Sequence, residues 1–350
     1  MISTIGFIGP FPPPVHGQSW ATESLANELE NAGVTLERYN LSTSRSVGWI
    51  GVINKLRVHF GAAVFCRRSH RVIYISANSN TGMWLTSFVV ARARFLGCKL
   101  VIHHHSYDHV LRRRSSMVLL ARIAGPNAVH VVLGQKMAAD MRLSTPEVGK
   151  IIVLNNAGLV EKKLLSLPEN SGSKIVLGHL SNLTAEKGIS EVVELAIRLR
   201  EMSLPVRLVI AGPAGDHAAR DAISLARRIL GEDFNYKGPV HGNDKIRFFS
   251  EITHLIFPTR YKNEASPIVL LEAMAAAVPC ISNMRGCISN DLGKEGGVVV
   301  EDALKFTSCA INYLTTRNLE TASSAARNRY ITLKHEYDVQ FSNLLRILTV

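Results

Sequence analysis

At 350 residues, 47% hydrophobic and 19% charged, the chain has the make-up of a folded α/β protein with room for two domains. Its five cysteines, at 66, 98, 280, 287 and 309, fit neither a zinc module nor an even disulfide framework, which suggests free thiols in a reducing, cytoplasmic compartment. The net charge of +12 is uneven: residues 1–170 carry 19 Lys+Arg against 9 Asp+Glu, a net of +10, and residues 171–350 only +2.

A positive field of that kind suits an anionic membrane face, a phosphorylated acceptor or nucleic acid. With no helix-turn-helix, stacking sheet or zinc signal beside it, nucleic acid is not expected as a partner. A basic, solvated surface is the plainer alternative for either local run, Arg67-Arg68-Ser69-His70-Arg71 or Arg112-Arg113-Arg114.

The start of the chain runs straight into an apolar strand at 3–8, with no basic region ahead of it, which argues against a signal peptide. A proline-stiffened loop follows, from Gly9 to Gln18, containing His16 and Gly17. Gly17 permits a positive φ or a close approach to a ligand, and the loop opens a helix at 18–32. Strand 35–39, helix 52–65 and strand 72–76 come next. The longest apolar stretch, 84–101, is interrupted by Arg92, Arg94 and Lys99, so it reads as a buried helix followed by a strand at 99–103.

That strand ends in His103-His104-His105-Ser106-Tyr107. Three consecutive histidines cannot all face one way, so one or two are functional candidates, and a metal there would need Asp108 beside them. Arg112–Arg114 open a stretch whose apolar positions, 117–124, either bury one side in a membrane with the arginines at headgroups or cover the first sheet. Strands at 128–133 and 150–154 complete the first half. Apolar strands separated by helices imply a mostly parallel sheet covered on both faces.

Residues 166–173 read as a linker. The alternation then restarts, with strands at 174–179, 206–211, 235–237, 254–257, 279–282 and 297–300. Helices are expected at 187–202, 218–230, 267–277 and through much of 303–348. The expected division is a first domain at 1–168, a second at 173–321 and a terminal helix at 322–350. Two doubly wound Rossmann-like domains of this kind bind ligands outside the carboxyl ends of their strands, here in a cleft.

Chemistry concentrates in the second half. In Tyr261-Lys-Asn-Glu264-Ala265-Ser266-Pro267-Ile268-Val-Leu-Leu-Glu272, Ser266 is suited to cap a helix and Pro267 to its first position. The amides after Ser266 then form an anion site suited to a diphosphate. Glu264 precedes the helix and Glu272 lies in its second turn, where a carboxylate can accept bonds from a ribose diol. Ser181-Asn182-Leu183 through Lys187-Gly188 places an ammonium at a strand's carboxyl end, and Gly212 opens a tight turn after the next strand.

These segments resemble retaining glycosyltransferase family 4, also called group 1, which has the GT-B fold. The family's Glu-x7-Glu motif matches Glu264 to Glu272, followed by Ala-Met-Ala-Ala-Ala-Val-Pro279 and preceded by Phe257-Pro258-Thr259. The family usually places an Arg and a Lys on the donor diphosphate. Lys187 carries over, whereas Asn182 stands near the Arg position, leaving Arg260 or Lys262 as further candidates. Gly17 resembles the family's phosphate-side glycine, and the family's histidine falls within His103–His105, with His105 preferred and His104 the alternative. Leu154-Asn155-Asn156-Ala157 resembles the family's Pro-Asn-Gly turn, with Ala157 in place of its glycine.

The resemblance spans the whole chain and implies two Rossmann-like domains, with the last helix crossing back to the first. It implies a retaining hexosyltransferase acting on a nucleotide diphosphate sugar and a glycan or polyprenyl-diphosphate-linked acceptor, often in bacterial surface polysaccharide synthesis. Under it, His105, Glu264 and Lys187 are the catalytic candidates. Gly17, Asn182, Lys187, Gly212, Arg260 and the segment Glu264, Ala265, Ser266, Pro267, Ile268 with Glu272 hold the donor. His16, His104, His105 and Tyr107 face the acceptor. No Asp-x-Asp occurs, so no cofactor and no obligatory metal are expected. The rivals are a non-hydrolysing nucleotide-sugar 2-epimerase, which shares the two-domain cleft, and a two-domain solute-binding protein, which would need export.

Overall fold

A computed structural model of the chain describes residues 4–14, 17–43, 48–78, 82–172 and 174–349. It divides into two compact units, one of residues 1–159 with 336–350 and one of residues 160–335.

The first unit is a six-stranded parallel sheet in the order β2-β1-β3-β4-β5-β6. Its strands are β1 (Ile5–Gly9), β2 (Leu36–Asn40), β3 (Val72–Ala77), β4 (Lys99–His104), β5 (Val129–Val132) and β6 (Lys150–Val153). Every residue of β1, β3 and β5 is buried, as expected of strands covered on both faces and rich in Val and Ile. The crossovers are α1 (Gly17–Asn31), α2 (Trp49–Phe65), α3 (Gly82–Phe95), the short α4 (Asp108–Leu111), α5 (Ser115–Ala124) and α6 (Gln135–Ser144).

The second unit repeats the plan, with order β12-β11-β10-β7-β8-β9. Its strands are β7 (Ile175–Leu180), β8 (Val206–Ala211), β9 (Phe234–Tyr236), β10 (His254–Phe257), β11 (Cys280–Asn283) and β12 (Gly297–Val300). Helices α7 (Ile189–Glu201), α8 (His217–Leu230), α9 (Asn243–Glu251), α10 (Ile268–Ala275), α11 (Ile288–Leu292) and α12 (Phe306–Thr316) accompany them. In α7, Ile189, Val192, Val193, Ala196 and Leu199 recur at helical spacing and are buried, and Arg198 and Arg200 sit in the last turn, where they favour the dipole.

The final helix, α13 (Leu319–Thr349), is one continuous element. Its residues to His335 belong to the second unit and those from Glu336 to the first, so the return begins later than residue 322. The stretch 160–168, expected with the first domain, belongs to the second: Leu164 is fully buried and Arg327 donates to the Leu167 carbonyl at 2.6 Å. The linker is strapped to that unit as well, since Ser323 Oγ accepts from the Asn170 amide at 2.8 Å. In the first unit, the end of α13 is anchored by buried Tyr337, whose hydroxyl donates to Glu28, and by Lys99 Nζ donating to the Ile347 carbonyl at 2.6 Å.

Candidate functional site

In the second sheet the strand order reverses between β7 and β10, the position where open α/β sheets form a ligand crevice at the strands' carboxyl ends. Buried His179, near the end of β7, donates its Nδ1–H to the Ile256 carbonyl at 2.8 Å. That bond fixes the tautomer, so Nε2 accepts from the Ser181 hydroxyl at 2.9 Å. Burial, with Lys187 nearby, pushes the ring's pKa down to about 4, so it is neutral at pH 7.

Lys187 closes a 3-10 turn, Ala185–Lys187, and does not start α7; Gly188 intervenes as that helix's N-cap. Asp216 ties the turn down by accepting from the Ala185 amide at 2.9 Å while capping α8 through the Ala219 amide at 2.8 Å. From this turn the Lys187 ammonium reaches Glu264 Oε2 at 2.5 Å, and the Thr259 hydroxyl donates to the same oxygen at 3.0 Å. The ammonium also lies 4.9 Å from the Tyr261 ring centroid and 5.4 Å from that of Phe257, within cation–π range.

The Lys187 and Glu264 side chains are only 19% and 10% exposed. For so desolvated a pair, mutual attraction is largely offset by the cost of removing both charges from water. An ammonium carries three N–H donors, so engaging Glu264 leaves capacity for anion oxygens.

At the other end of this segment, the α10 cap is Pro267 and the helix begins at Ile268, one residue later than expected. The Ser266 hydroxyl donates to Asp291 Oδ2 at 2.8 Å, fixing the loop to α11. Gly286, at φ +51, lies so close beneath the loop that a Cβ there would meet the Glu264 and Ala265 carbonyls at 2.4 Å. The Cys287 amide donates to the Ala265 carbonyl at 2.6 Å. Glu272, in the second turn and buried, takes a hydrogen bond from Lys245 of α9. A second lysine–carboxylate pair is thus held on the helix that follows the Glu264 loop.

Gly212, at φ +120, packs against backbone: a Cβ would meet the Ser181 carbonyl at 1.8 Å. Its role is to let the β7 and β8 loops touch. Asn182 is exposed on that loop. Arg260 is also exposed and pairs with Glu191 at 2.6 Å, so its guanidinium is partly committed.

In the first unit, Gly17 is the opening residue of α1, with open space where a Cβ would go and no positive φ. Neither a strained turn nor a close backbone approach requires a glycine there, and His16 lies outside the described residues. The next residue, Gln18, donates through Nε2 to Ser76 Oγ and to the Ala77 carbonyl, both at 3.1 Å, at the carboxyl end of β3.

The three histidines do divide their faces. His103 is buried with Nδ1 at 2.6 Å from the Tyr74 hydroxyl, and His104, fully buried, is the middle of a chain of imidazoles. Its Nδ1 lies 3.0 Å from His109 Nε2 and its Nε2 lies 3.0 Å from His130 Nδ1. Only His105 of the three is partly exposed. Burial holds His105, His109 and His130 down to about 4, and it pushes His103 and His104, crowded by neighbouring imidazoles, well below the ordinary histidine value.

Tyr107 is buried and its hydroxyl donates to Asp140 at 2.5 Å, a structural commitment for a residue expected at the acceptor. Asp108 pairs with Arg114 at 2.9 Å. Among the described residues no group of three or more His, Cys, Asp or Glu side chains is arranged to hold a metal ion.

The arginine-rich stretch takes the sheet-covering alternative. Met117, Leu120, Ala121 and Ala124 of α5 are buried, and Arg113 pairs with Glu147 at 2.5 Å. The membrane reading of that segment is thereby corrected, because its apolar side is already spent on the core.

Sequence reading missed Lys245, His179 and Asp216, and it named Thr259 as part of a motif without giving it a contact. Thr259 and His179 stand at strand ends, a usable signal. Lys245 and Asp216 have none, because they meet their partners only through the fold.

Residues 174–316 match the family model described as glycosyl transferases group 1. No curated protein matches the chain. Among solved structures it is similar to sucrose-phosphate synthase from Thermosynechococcus elongatus, at TM-score 0.74 and 16% identity over 99% of both chains. It is similar to a glycosyltransferase from Rickettsia africae, at TM-score 0.69 and 14% identity, covering 99% of this chain and 98% of that one. It is also similar to HepE from Anabaena in complex with UDP and glucose, at TM-score 0.63 and 15% identity, covering 97% and 100%. The fold is that of GT-B glycosyltransferase structures, and the segment similar to the group 1 glycosyl transferase model lies within the second unit.

Proposed function

We propose that the chain is a retaining, metal-independent glycosyltransferase of family 4. It would move a sugar from a nucleoside diphosphate donor to a glycan or polyprenyl-diphosphate-linked acceptor, in surface polysaccharide synthesis at the cytoplasmic face of a membrane. The observation that carries the reading is the pair of lysine–carboxylate contacts on α10 and its preceding loop, Lys187–Glu264 and Lys245–Glu272, inside the matched segment. HepE, a structural neighbour, was solved with UDP and glucose, which supports a nucleotide sugar as donor.

The physical problem of such a transfer is to separate a negative diphosphate from an oxocarbenium-like sugar. Lys187 and the amides opening α10 oppose charge that grows on the leaving group, which lowers the barrier because the interaction strengthens in the transition state. Glu272 accepts from the ribose, and Glu264 from the sugar while orienting Lys187. A retaining glycosidase would need two carboxylates about 5 Å apart across the sugar. Here each carboxylate is instead engaged by a lysine. Front-side attack, with the departing phosphate taking the acceptor's proton, requires no protein nucleophile.

The test is incubation with a panel of nucleotide sugars, with and without acceptor glycans, following product anomers by NMR. Transfer with retained configuration supports the reading. Epimerised nucleotide sugar formed without acceptor would replace it with the epimerase, and absence of saturable binding by any nucleotide sugar would overturn both.

A further inference from the structure

Helix α2 is amphipathic in the inverted sense. Of its 17 residues only His59, Ala62 and Ala63 are buried, and of the large apolar residues Phe65, against Tyr39 and His70, turns inward at its end. Gly61 lies so close to Tyr39 that a Cβ would meet its hydroxyl at 2.0 Å. Polar bonds pin the inward side: Tyr39 donates to the Val58 carbonyl at 3.1 Å, and Asn78 Nδ2 lies 2.9 Å from His59 Nε2. The other large apolar residues point the opposite way. Trp49, Ile53, Leu56, Phe60 and Val64 recur every three or four positions and form one outward stripe, with Trp49 78% and Phe60 63% exposed. The helix α3 packed beside it adds exposed Trp84, Phe88 and Phe95, again at helical spacing. Scattered exposed apolar residues are ordinary; two neighbouring helices with outward aromatic stripes are not.

The segment that carries the stripe has charge of one sign in sequence, and the carboxylate the structure brings to its edge, Glu37, pairs with Arg67 and His70 just beyond α2. Residues 38–107 contain 10 Lys+Arg and no Asp or Glu. Lys55, Arg57 and Arg68 are exposed on or just beyond α2, and Arg92 on α3. A second copy of the chain would bring this cationic border against itself, with no carboxylate in the segment to answer it. An anionic lipid surface answers both features, since it accepts the apolar stripe below the headgroups and the cations among them.

We propose that α2, with the adjoining face of α3, is a docking surface for an anionic bilayer. The inference deepens the lipid-linked acceptor of the proposed function, and rests on that reading for its purpose though not for its geometry. The helix lies in the interface and does not span it: no helix among the described residues is long and apolar enough to cross a membrane, and α2 carries Lys55 and Arg57 in its middle.

The test is flotation with vesicles of phosphatidylcholine alone and of phosphatidylcholine with phosphatidylglycerol in equal parts, at low and high salt. All three tryptophans, Trp20, Trp49 and Trp84, are exposed and lie in this unit, so their emission reports docking directly. Binding to the anionic vesicles at low salt should exceed that to neutral ones by about tenfold or more, weaken with salt, and shift tryptophan emission to the blue. The double variant Ile53→Ser, Phe60→Ser, at exposed positions, should lower that binding by about tenfold or more while circular dichroism stays native. Its affinity for UDP-sugars, measured by calorimetry, should not change, so loss of donor binding in wild type would sink the transferase reading and leave this one standing. No binding to anionic vesicles at low salt, or binding that the double variant leaves intact, would overturn the proposal. A dimer that the same variant dissolves, without lipid binding, would assign the stripe to a second copy instead.

Discussion

The two units gather polar residues at the carboxyl ends of their strands by opposite means. The second holds formal charges in opposed pairs, Lys187 with Glu264 and Lys245 with Glu272, each lysine side chain 19% exposed. The first holds imidazoles against one another, His109, His104 and His130 in line and His103 against Tyr74, sealed from water and kept neutral. An ammonium paired with one carboxylate oxygen still has N–H donors to offer an anionic ligand, so binding need not displace its partner. A sealed imidazole chain bonds inwardly through its middle ring, while its outer nitrogens, His109 Nδ1 and His130 Nε2, are buried without a hydrogen-bond partner among the described residues. The difference separates a cluster suited to binding from one that stabilises the end of β4 and presents His105.

The largest effect that would sharpen this contrast is acid lability of the first unit. The folded-state pKa values of His105, His109 and His130, about 4, lie below the value of about 6.5 in an unfolded chain. As pH falls, the unfolded state therefore takes up protons first, and stability is lost between pH 6.5 and 4. One group shifted so far is worth at most about 3 kcal/mol. Among the described residues burial strongly depresses two histidines in the second unit, His179 and His254, against five in the first. Amide hydrogen exchange at pH 7 and pH 5 should show protection falling more in residues 1–159 than in 160–335. Equal losses would mean that the imidazole chain accepts a proton without opening.

Two substitutions should then cross. His104→Ala empties a fully buried position and strands a ring nitrogen on each neighbour, which should cost stability by about 2–4 kcal/mol. It should leave nucleoside diphosphate affinity as it was. Lys187→Ala should weaken nucleoside diphosphate binding by about 1.5–3 kcal/mol, the scale of a charge-assisted hydrogen bond. Calorimetry and denaturant unfolding on both variants decide the matter. Unchanged affinity in a folded Lys187→Ala protein would remove Lys187 from the diphosphate.

Much of this was legible in the residues. Runs such as 72–77 and 206–211 announce buried parallel strands, and their alternation with helices leads to two doubly wound sheets. Glu264 and Glu272 show themselves through a loop, a proline and an apolar helix. What escaped depends on distance along the chain. Lys245 meets Glu272 from 27 residues away, and Asp216 meets Ala185 from 31. The orientation of α2 escaped for another reason: a run of Trp, Ile, Leu and Phe reads as core-facing, and only the packing shows Gly and Ala turned inward. The arginines before α5 misled in the reverse direction, because Glu147 and Asp108, which neutralise Arg113 and Arg114, are not their helical neighbours.

The smallest expected effect concerns metal. In the proposed reaction a departing diphosphate must be neutralised by something, and the contrast between the clusters offers a candidate. If the second unit's pairs do this work, positive charge comes from Lys187 and from amides at the start of α10, neither of which a chelator removes. The sequence holds no Asp-x-Asp that would present a divalent cation to the phosphates. Glu264 and Glu272 already answer lysines, and Asp291 accepts from the Ser266 hydroxyl. Asp108, the residue a metal beside the histidines would need, answers Arg114. Turnover should therefore persist in excess EDTA at the rate seen without it. Complete loss on chelation, restored by Mg²⁺ or Mn²⁺ and accompanied by unaltered donor binding in Lys187→Ala, would break the comparison by moving charge neutralisation away from the second unit's lysines.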